Sequence, residues 1–351
     1  MSVGYVAVQW NRHKRIYDLL VAAGVLLFLA TFVGAGLLAF RGAEAVSGPI
    51  LVMRAFGACA FFMLHVVLCI GPLARIDRRF LPLLYNRRHL GVATFLVGLV
   101  HGSLALGFYH GFGRVNPLLS LLTSNTNYGS LSAFPFQILG AAALLVMFLM
   151  AATSHDFWLQ NLSAATWKRL HMLVYLAYGL LVMHVALGAL QSQRSPWLAG
   201  LLIAGVLTVV SLHLIAGLRE YRRDRRPLSV TTSQDETWID AGLAEDLVEG
   251  RARVVCVPGR ERVAVFRQHD AFYAVTNVCA HQAGPLGEGR IVDGCITCPW
   301  HGWQYRPQDG CSPPPFTEKI ATYRVRVQER RILLNAEPLP PGTPVEPARI
   351  D

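Results

Sequence analysis

The stretch CAHQAGPLGEGRIVDGCITCPWH, residues 279–301, is the most informative part of the chain. It contains a Cys-x-His pair, Cys279 and His281, and then, after sixteen intervening residues, a Cys-x-x-His pair, Cys298 and His301. Two thiolates and two imidazoles can hold zinc, or a 2Fe–2S cluster in which two Cys bind one iron and two His bind the other. Zinc fingers usually group Cys with Cys and His with His, whereas each pair here carries one of each. Two such loops can each supply one ligand to each iron, so the spacing favours the iron–sulfur cluster over zinc or unligated residues.

The residues around the second pair carry a family resemblance. The segment CPWHGWQY, residues 298–305, resembles the second ligand box of Rieske ferredoxins and Rieske oxygenases, and Tyr305 matches the family's tyrosine. In the high-potential, quinol-oxidising branch of that family, two further Cys form a disulfide at the positions of Gly284 and Trp300. A hydroxyl residue of that branch is Trp303 here. The resemblance therefore implies fewer hydrogen bonds to the cluster and a potential towards the low end of the Rieske range.

The composition indicates a membrane protein, because 53% of the 351 residues are apolar and only 15% are charged, unlike an ordinary soluble domain. Six apolar runs are long enough to cross a bilayer, which takes about 20 residues. They are residues 16–40, 49–74, 89–109, 136–153, 170–190 and 197–218.

These runs predict the domain organisation. The fold class expected is a membrane-embedded, all-α six-helix bundle over residues 1–218, followed by a small all-β Rieske domain over residues 237–340. Alternating apolar residues between turn signals support the β assignment of the second part. A basic linker or tether over residues 219–236 joins the two domains, and a Pro-rich tail over residues 341–351 ends the chain.

The charge distribution predicts the topology. Residues 1–226 contain 19 Lys+Arg against 6 Asp+Glu, whereas residues 227–351 contain 13 against 16. The basic residues punctuate apolar runs instead of forming a polar face, so no nucleic acid is expected as a partner. Of the Lys and Arg residues in and near the connections between spans, fifteen fall on one side of the membrane and four on the other. The positive-inside rule places both termini and the Rieske domain in the cytoplasm, with the bundle in the lipid of the inner or plasma membrane.

Three histidines inside the spans point to bound cofactors, because ionisable groups in hydrocarbon are costly and usually functional. His171 and His184 are thirteen residues apart, or about 20 Å of helix rise, which suits two stacked haems. His101 is about twelve residues from the cytoplasmic end of its span and His184 about fourteen. A haem b axially ligated by His101 and His184 is therefore expected.

The segments RRHLGVATFLVGLVH (residues 87–101) and WKRLHMLVYLAYGLLVMH (residues 167–184) resemble the ferric-reductase-like transmembrane family. That family includes ferric reductases, NADPH oxidases and the haem membrane subunit of the periplasmic methionine sulfoxide reductase system. The resemblance covers about residues 10–220. It implies a bundle that binds one or two b haems through the three histidines named above and passes electrons across the membrane.

The sequence departs from this family in two places. A second His of the third span is Arg87 here, so His171 lacks its usual partner. His89 is the nearest substitute in depth, His65 in the second span lies deeper, and a third alternative is that there is no second bis-His haem. The family's flavin- and NADPH-binding module is also missing, because no G-x-G-x-x-G follows a predicted strand. The Rieske domain stands in its place.

Together these features predict a transmembrane electron-transfer protein, either an oxidoreductase or the electron-transfer component of one. A cytoplasmic reductase or ferredoxin is expected to reduce the 2Fe–2S cluster, and haem b is expected to pass the electron to an extracytoplasmic acceptor. Three alternatives stay open. The first is a quinol-oxidising cytochrome that supplies a cytoplasmic oxygenase. The others are a haem and cluster redox sensor, and a terminal enzyme that itself reduces metal ions, oxygen or quinone.

Overall fold

The computed structural model describes residues 12–39, 46–154, 158, 162–193, 195–225, 229–233, 236–300 and 302–350. Within these ranges an apolar helical region precedes a β-rich region, which confirms the expected fold class. Of the predicted cofactor ligands, His301 lies outside the described residues.

The helical region contains five helical stretches long and apolar enough to cross a membrane among the described residues. A sixth apolar helix, α5, is shorter, at 17 residues, so the predicted count of six spans holds only approximately. The fifth predicted span is interrupted at residues 172–173, where α6 ends and α7 begins. The helices are α1 (Arg12–Ala39), α2 (Gly48–Ile76), α3 (Leu81–His110), α4 (Pro117–Thr123), α5 (Phe136–Ala152), α6 (Ala164–His171), α7 (Val174–Leu187), α8 (Ala189–Gln193) and α9 (Pro196–Asp224).

Two helix pairs form the centre of the bundle. Helix α2 packs along α3, where Cys59 and Met63 meet Val97, and helix α5 packs along α7, where Ala143 meets Ala177. Helix α9 closes against α2, and α1 lies on the outside. Many leucines on the outside of the bundle are not covered by other parts of the protein, as expected of side chains that face lipid.

The β region is built from eleven strands in the described chain. Eight form one sheet in the order β1-β2-β10-β9-β5-β4-β3, with β11 beside β5, and β6-β7-β8 form a second, smaller sheet. The strands are β1 (Val230–Ser233), β2 (Glu236–Leu243), β3 (Ala252–Val255), β4 (Val263–Gln268), β5 (Ala271–Thr276), β6 (Arg290–Val292), β7 (Cys295–Thr297), β8 (Gln304–Tyr305), β9 (Thr322–Gln328), β10 (Arg331–Pro338) and β11 (Ala348–Arg349).

Two apolar cores support this region. One lies within the large sheet and includes Ile239, Phe272 and Leu334, each almost fully buried. The second lies between the large sheet and the smaller one, where Phe266 and Ile296 pack around Cys279 and Cys298. The predicted ligand cysteines therefore sit inside a core, which shields them from water.

Two segments predicted as a tether and a tail contain regular secondary structure. Helix α9 continues to Asp224, and β1 pairs with β2 in the register Val230↔Ile239. The predicted linker is therefore largely taken up by helix and strand, and residues 226–228 and 234–235 within it lie outside the described residues. β-Branched residues at 230–232 favour the strand. In the tail, Ala348 pairs with Phe272 of β5, so the Pro-rich end lies on the sheet.

Candidate redox centres

Two loops bring the predicted cluster ligands together. The first follows β5 and is closed by a bridge between Val278 and Pro285. The second follows β7 and is closed by a hydrogen bond from the Cys298 backbone N–H to the Trp303 carbonyl, 2.7 Å long. The loops meet at Gly284, where a Cβ atom would lie only 2.8 Å from the Cys298 Sγ. Glycine is needed at this point because any larger residue would displace the sulfur.

The sulfur atoms lie in a pocket shaped for thiolates. Cys279 is 1% exposed and Cys298 2% exposed. Burial by itself raises the pKa of Cys279, but hydrogen bonds from Cys298, from Tyr305 and from backbone N–H groups outweigh it, so the net pKa is lowered. The Tyr305 hydroxyl is 3.3 Å from the Cys279 Sγ. Because the thiolate is the form that binds metal, this pocket fits a cluster ligand.

The imidazole of His281 stacks on the Trp303 ring at 4.2 Å with an angle of 7° between the planes. Trp303 donates its indole N–H to the Ser312 hydroxyl, 3.0 Å away, and therefore does not give that donor to a cluster. The position that holds a hydroxyl residue in the high-potential branch thus provides a stacking platform here. Tyr305 remains as a side-chain donor to sulfur.

The described donors fit a two-iron cluster. Three of the four predicted ligands, Cys279, His281 and Cys298, lie on the two loops that meet at Gly284. They offer two thiolates and one imidazole. Each iron of a 2Fe–2S cluster takes two protein ligands, and this donor set suits that requirement.

Gly284 and Trp300 occupy the two positions at which the high-potential Rieske branch has its disulfide cysteines. All seven cysteines of the chain lie among the described residues, and none is paired in a disulfide. A Cβ atom on Gly284 would lie 3.2 Å from the Trp300 ring, so that ring fills the space next to the cluster loops. Trp300 also packs against the α2/α3 core, with the Arg87 guanidinium 5.8 Å above its ring. The second ligand loop therefore contacts the helical bundle directly.

The bundle brings the imidazole rings of His101 and His184 together. Their ring centres are 6.3 Å apart and the ring planes are nearly perpendicular, at 82°. Each ring uses Nδ1 to bond a backbone carbonyl, that of Met53 at 2.9 Å and that of Phe136 at 2.8 Å, which leaves Nε2 available. Two metal–nitrogen bonds of about 2 Å, with about 1 Å from each nitrogen to its ring centre, span roughly 6 Å. The separation of the pair therefore suits the two imidazoles that one haem iron would take as ligands.

The other predicted haem ligands each bond neighbouring protein groups. His171 stacks on Trp167 at 3.8 Å, bonds that residue's carbonyl through Nδ1, and places Nε2 3.3 Å from the Ser154 hydroxyl. His89 instead directs Nδ1 to the Asp18 carboxylate of α1, 2.9 Å away.

His65 is engaged on both ring nitrogens. Its Nδ1 bonds the Phe61 carbonyl at 2.8 Å, and its Nε2 is 3.1 Å from the Tyr178 hydroxyl. Both ring nitrogens of His65 therefore have protein partners, whereas His89, like His101, uses Nδ1 for its hydrogen bond. The sequence analysis did not predict Tyr178 as the partner of His65 or Asp18 as the partner of His89. Asp18 is an acid within an apolar run, which was the available signal.

The sequence analysis did not identify the charged residues at the contact between the two domains. Arg262, just before β4, binds two carboxylates near the end of α9, those of Glu220 and Asp224, the latter at 2.7 Å. Cys256 donates its thiol to Asp224 at 3.0 Å. Glu220 and Asp224 are four residues apart in an otherwise basic segment and so share one helix face, which was the available signal.

A second ion pair supports the same contact. Arg75, at the end of α2, is 3.8 Å from Glu288, which follows the first ligand loop. Burial raises the pKa of Glu288, and the opposing attraction of Arg75 does not overcome it. Opposite charges thus face each other across the interface around the Trp300 contact.

Comparisons with known families agree with this architecture. The family model described as "Rieske [2Fe-2S] domain" matches residues 237–324. The model described as "Ferric reductase like transmembrane component" matches residues 54–182. Both resemblances read from the sequence are confirmed.

Curated relatives match the Rieske part. The ferredoxin component of the naphthalene 1,2-dioxygenase/salicylate 5-hydroxylase systems of Ralstonia sp is 32% identical over 105 residues, 29% of this chain and 98% of that protein. The ferredoxin component of the alkene monooxygenase system of Xanthobacter autotrophicus is 30% identical over 107 residues, 30% of this chain and 87% of that protein. A solved complex of reduced oxygenase and oxidized ferredoxin in carbazole 1,9a-dioxygenase matches 29% of this chain and 95% of that chain, with 30% identity and a TM-score of 0.28. The chain therefore belongs to the Rieske [2Fe–2S] family through its β region, and its helical region matches the ferric-reductase-like transmembrane component, within one multi-pass membrane protein.

Proposed function

We propose that this protein moves single electrons across a membrane. The route runs from a cytoplasmic donor to the Rieske cluster, then to a haem b, and then to an extracytoplasmic acceptor. The observation that carries the proposal is the contact of Trp300 with the α2/α3 core and Arg87. It seats the cluster loop against the bundle that holds the paired imidazoles.

Four residues would hold the cluster: Cys279 and His281 from the first loop, and Cys298 and His301 from the second. The cluster supplies a centre that takes up and releases one electron. The chain's own residues bury the sulfurs, and Tyr305 donates a hydrogen bond to one of them. Because Trp303 gives its donor elsewhere, few hydrogen bonds stabilise the reduced form, which supports a low potential.

His101 and His184 would hold a single haem b, whose iron supplies a second one-electron centre. Their separation and their Nδ1 bonds support this assignment. The engagement of both ring nitrogens of His65 argues against that residue as a ligand of a second haem. His89, whose Nδ1 bonds Asp18, is the remaining candidate partner of His171.

The docked arrangement places the cluster loop at the Arg87 end of α3. Along α3, Arg87 and His101 are fourteen residues apart, a rise of about 21 Å. The bundle therefore spans the distance between the docked loop and the haem. The ion pairs of Arg262 and Arg75 hold the domain in the orientation that places Trp300 on the bundle.

The distribution of basic residues, fifteen against four, supports a cytoplasmic Rieske domain. The missing disulfide suits a reducing compartment. In this proposal a separate reductase or ferredoxin reduces the cluster. The relatives named as ferredoxin components of oxygenase systems support such a protein partner.

Those same relatives favour a second candidate, in which a membrane quinol reduces the haem and the cluster then supplies a cytoplasmic oxygenase. The two directions differ in the order of the redox potentials.

Redox titration of the purified protein, followed by optical and EPR spectra, tests the proposal. We expect a cluster potential at or below that of the haem, and electron transfer from photoreduced cluster to haem within one molecule. A cluster more than about 59 mV above the haem, a tenfold equilibrium factor for one electron, would support the quinol route instead. Thiol labelling that finds the Rieske domain outside the cell membrane would overturn the topology.

A further inference from the structure

We propose that Gly57 and Gly140 are positioning residues that hold the imidazoles of His101 and His184 in perpendicular planes. This rests on the haem assigned under the proposed function. Each glycine acts together with a backbone carbonyl four residues before it on the same helix. The two parts form a seat for one imidazole, and the bundle contains this seat twice.

The first seat lies on α2. The Met53 carbonyl bonds the Nδ1 atom of His101 at 2.9 Å. One helical turn later, a Cβ atom on Gly57 would lie 2.8 Å from both Cε1 and Nδ1 of the same ring. Real Cβ atoms essentially never come that close, so the ring edge lies directly on the backbone of α2. Only glycine permits this approach while the Nδ1 hydrogen bond is made.

The second seat lies on α5 and repeats these contacts. The Phe136 carbonyl bonds the Nδ1 atom of His184 at 2.8 Å. A Cβ atom on Gly140 would lie 2.8 Å from Cε1 and Nδ1 of that ring. The carbonyl and the histidine are 48 residues apart in both seats. The helix pairs α2/α3 and α5/α7 thus present one imidazole each in the same manner.

Glycines next to the histidine in sequence do not serve this purpose. Cβ atoms on Gly98 and Gly102 would meet Leu144 of α5, at 3.7 and 2.9 Å. These two glycines therefore contribute to packing between α3 and α5. The residues that contact the ring edge come from the neighbouring helix, where sequence proximity could not reveal them.

The seats have two physical consequences. A carbonyl that accepts the Nδ1 hydrogen raises the basicity of Nε2, as outer hydrogen bonds to metal-bound histidine do. The contact with the glycine backbone also prevents the ring from turning about its own axis. Together they keep the observed angle of 82° between the two planes. Perpendicular axial imidazoles leave two iron d orbitals nearly degenerate, so ferric low-spin haem gives a highly anisotropic EPR signal with one large g value. Parallel rings give a rhombic signal instead.

The experiment uses the full-length protein in detergent or nanodiscs, with the substitutions Gly57→Ala and Gly140→Ala. Gly107→Ala and Gly179→Ala are matched controls, because both glycines lie exposed on the two histidine-bearing helices and a Cβ there meets nothing within 4 Å. The wild type and both controls should show the highly anisotropic EPR signal. Each seat variant should shift that signal towards the rhombic form and raise the haem midpoint potential. It should also lose haem to excess apomyoglobin about tenfold faster, as expected when an outer hydrogen bond is weakened.

The outcomes separate this inference from the proposed function. A wild-type protein without bis-His haem removes the proposed function itself. If the wild type contains bis-His haem but gives a rhombic signal, the proposed role of Gly57 and Gly140 is refuted. This measurement needs no variant, so the proposal can be tested even if Gly57→Ala does not fold. Seat variants whose EPR signal and potential match those of the controls overturn it as well.

Discussion

Replacing Arg262 with Ala should release the Rieske domain from the bundle. Arg262 binds Glu220 and Asp224 at the end of α9, and its side chain is 29% exposed at this contact. The change removes both ion pairs and leaves two neighbouring carboxylates of like charge. Undocked molecules should therefore become more common.

The size of the effect follows from the exposure of these groups. Partly exposed ion pairs contribute about 0.2–1 kcal/mol each. Two such pairs amount to about 0.5–2 kcal/mol, which multiplies the ratio of undocked to docked molecules by about 2 to 30. The effect should shrink as salt is added, because exposed charges are screened.

The rate at which the Cys256 thiol is alkylated reports the fraction of undocked molecules. It donates to Asp224 at the contact, and burial there, with the Asp224 bond, raises its pKa to about 11. Alkylation at pH 8 therefore proceeds mainly through undocked molecules, and peptide mass spectrometry follows its rate at this residue. Loss of Arg262 would itself raise that pKa, since its charge lowers it, so a faster reaction cannot arise from that direct effect.

Arg260→Ala is the matched control. Arg260 lies two residues away and forms its ion pair with Glu337 inside the Rieske domain, at 2.6 Å. We expect about 2- to 30-fold faster alkylation of Cys256, and slower cluster-to-haem electron transfer, in Arg262→Ala only. Equal rates in the wild type and both variants at low salt would refute the docking role of Arg262.

Three further predictions concern the two centres and the interface. His281→Ala should abolish the Rieske EPR signal and leave haem absorbance intact, and stoichiometric zinc without iron or acid-labile sulfide in the wild type would contradict the cluster assignment. Replacing His101 or His184 with Ala should remove the same haem, since a six-coordinate site needs both nitrogens; optical spectra that show different haems lost would disprove the pairing. Burial raises the pKa of Glu288 above its ordinary 4.5 in the folded protein, so the protonated carboxyl stabilises the fold below that value and this stabilisation is lost as pH rises through the raised pKa. Glu288→Gln should therefore raise the melting temperature at neutral pH, whereas a lower melting temperature would mean that the ion pair with Arg75 dominates.

Local sequence was enough to predict the cluster loops. Cys279, His281, Cys298 and His301 lie within 23 residues, and the turns that hold such loops depend on near neighbours. The apolar runs likewise predicted the spans, because a bilayer imposes helix formation on any such run. The shorter α5 and the break before α7 were not predicted, since they depend on how each segment packs.

What the sequence by itself determined was therefore the fold class, a helical membrane region followed by a β-rich Rieske region, and the two family resemblances. The tertiary structure alone decided which imidazoles meet. His101 and His184 face each other, while His65 and His89 turn to Tyr178 and to Asp18. It also decided that Trp300 rests on the bundle near Arg87. The physical reason is that helical rise follows from residue number, whereas the rotation of each helix and the docking of a domain depend on contacts between residues far apart in the chain.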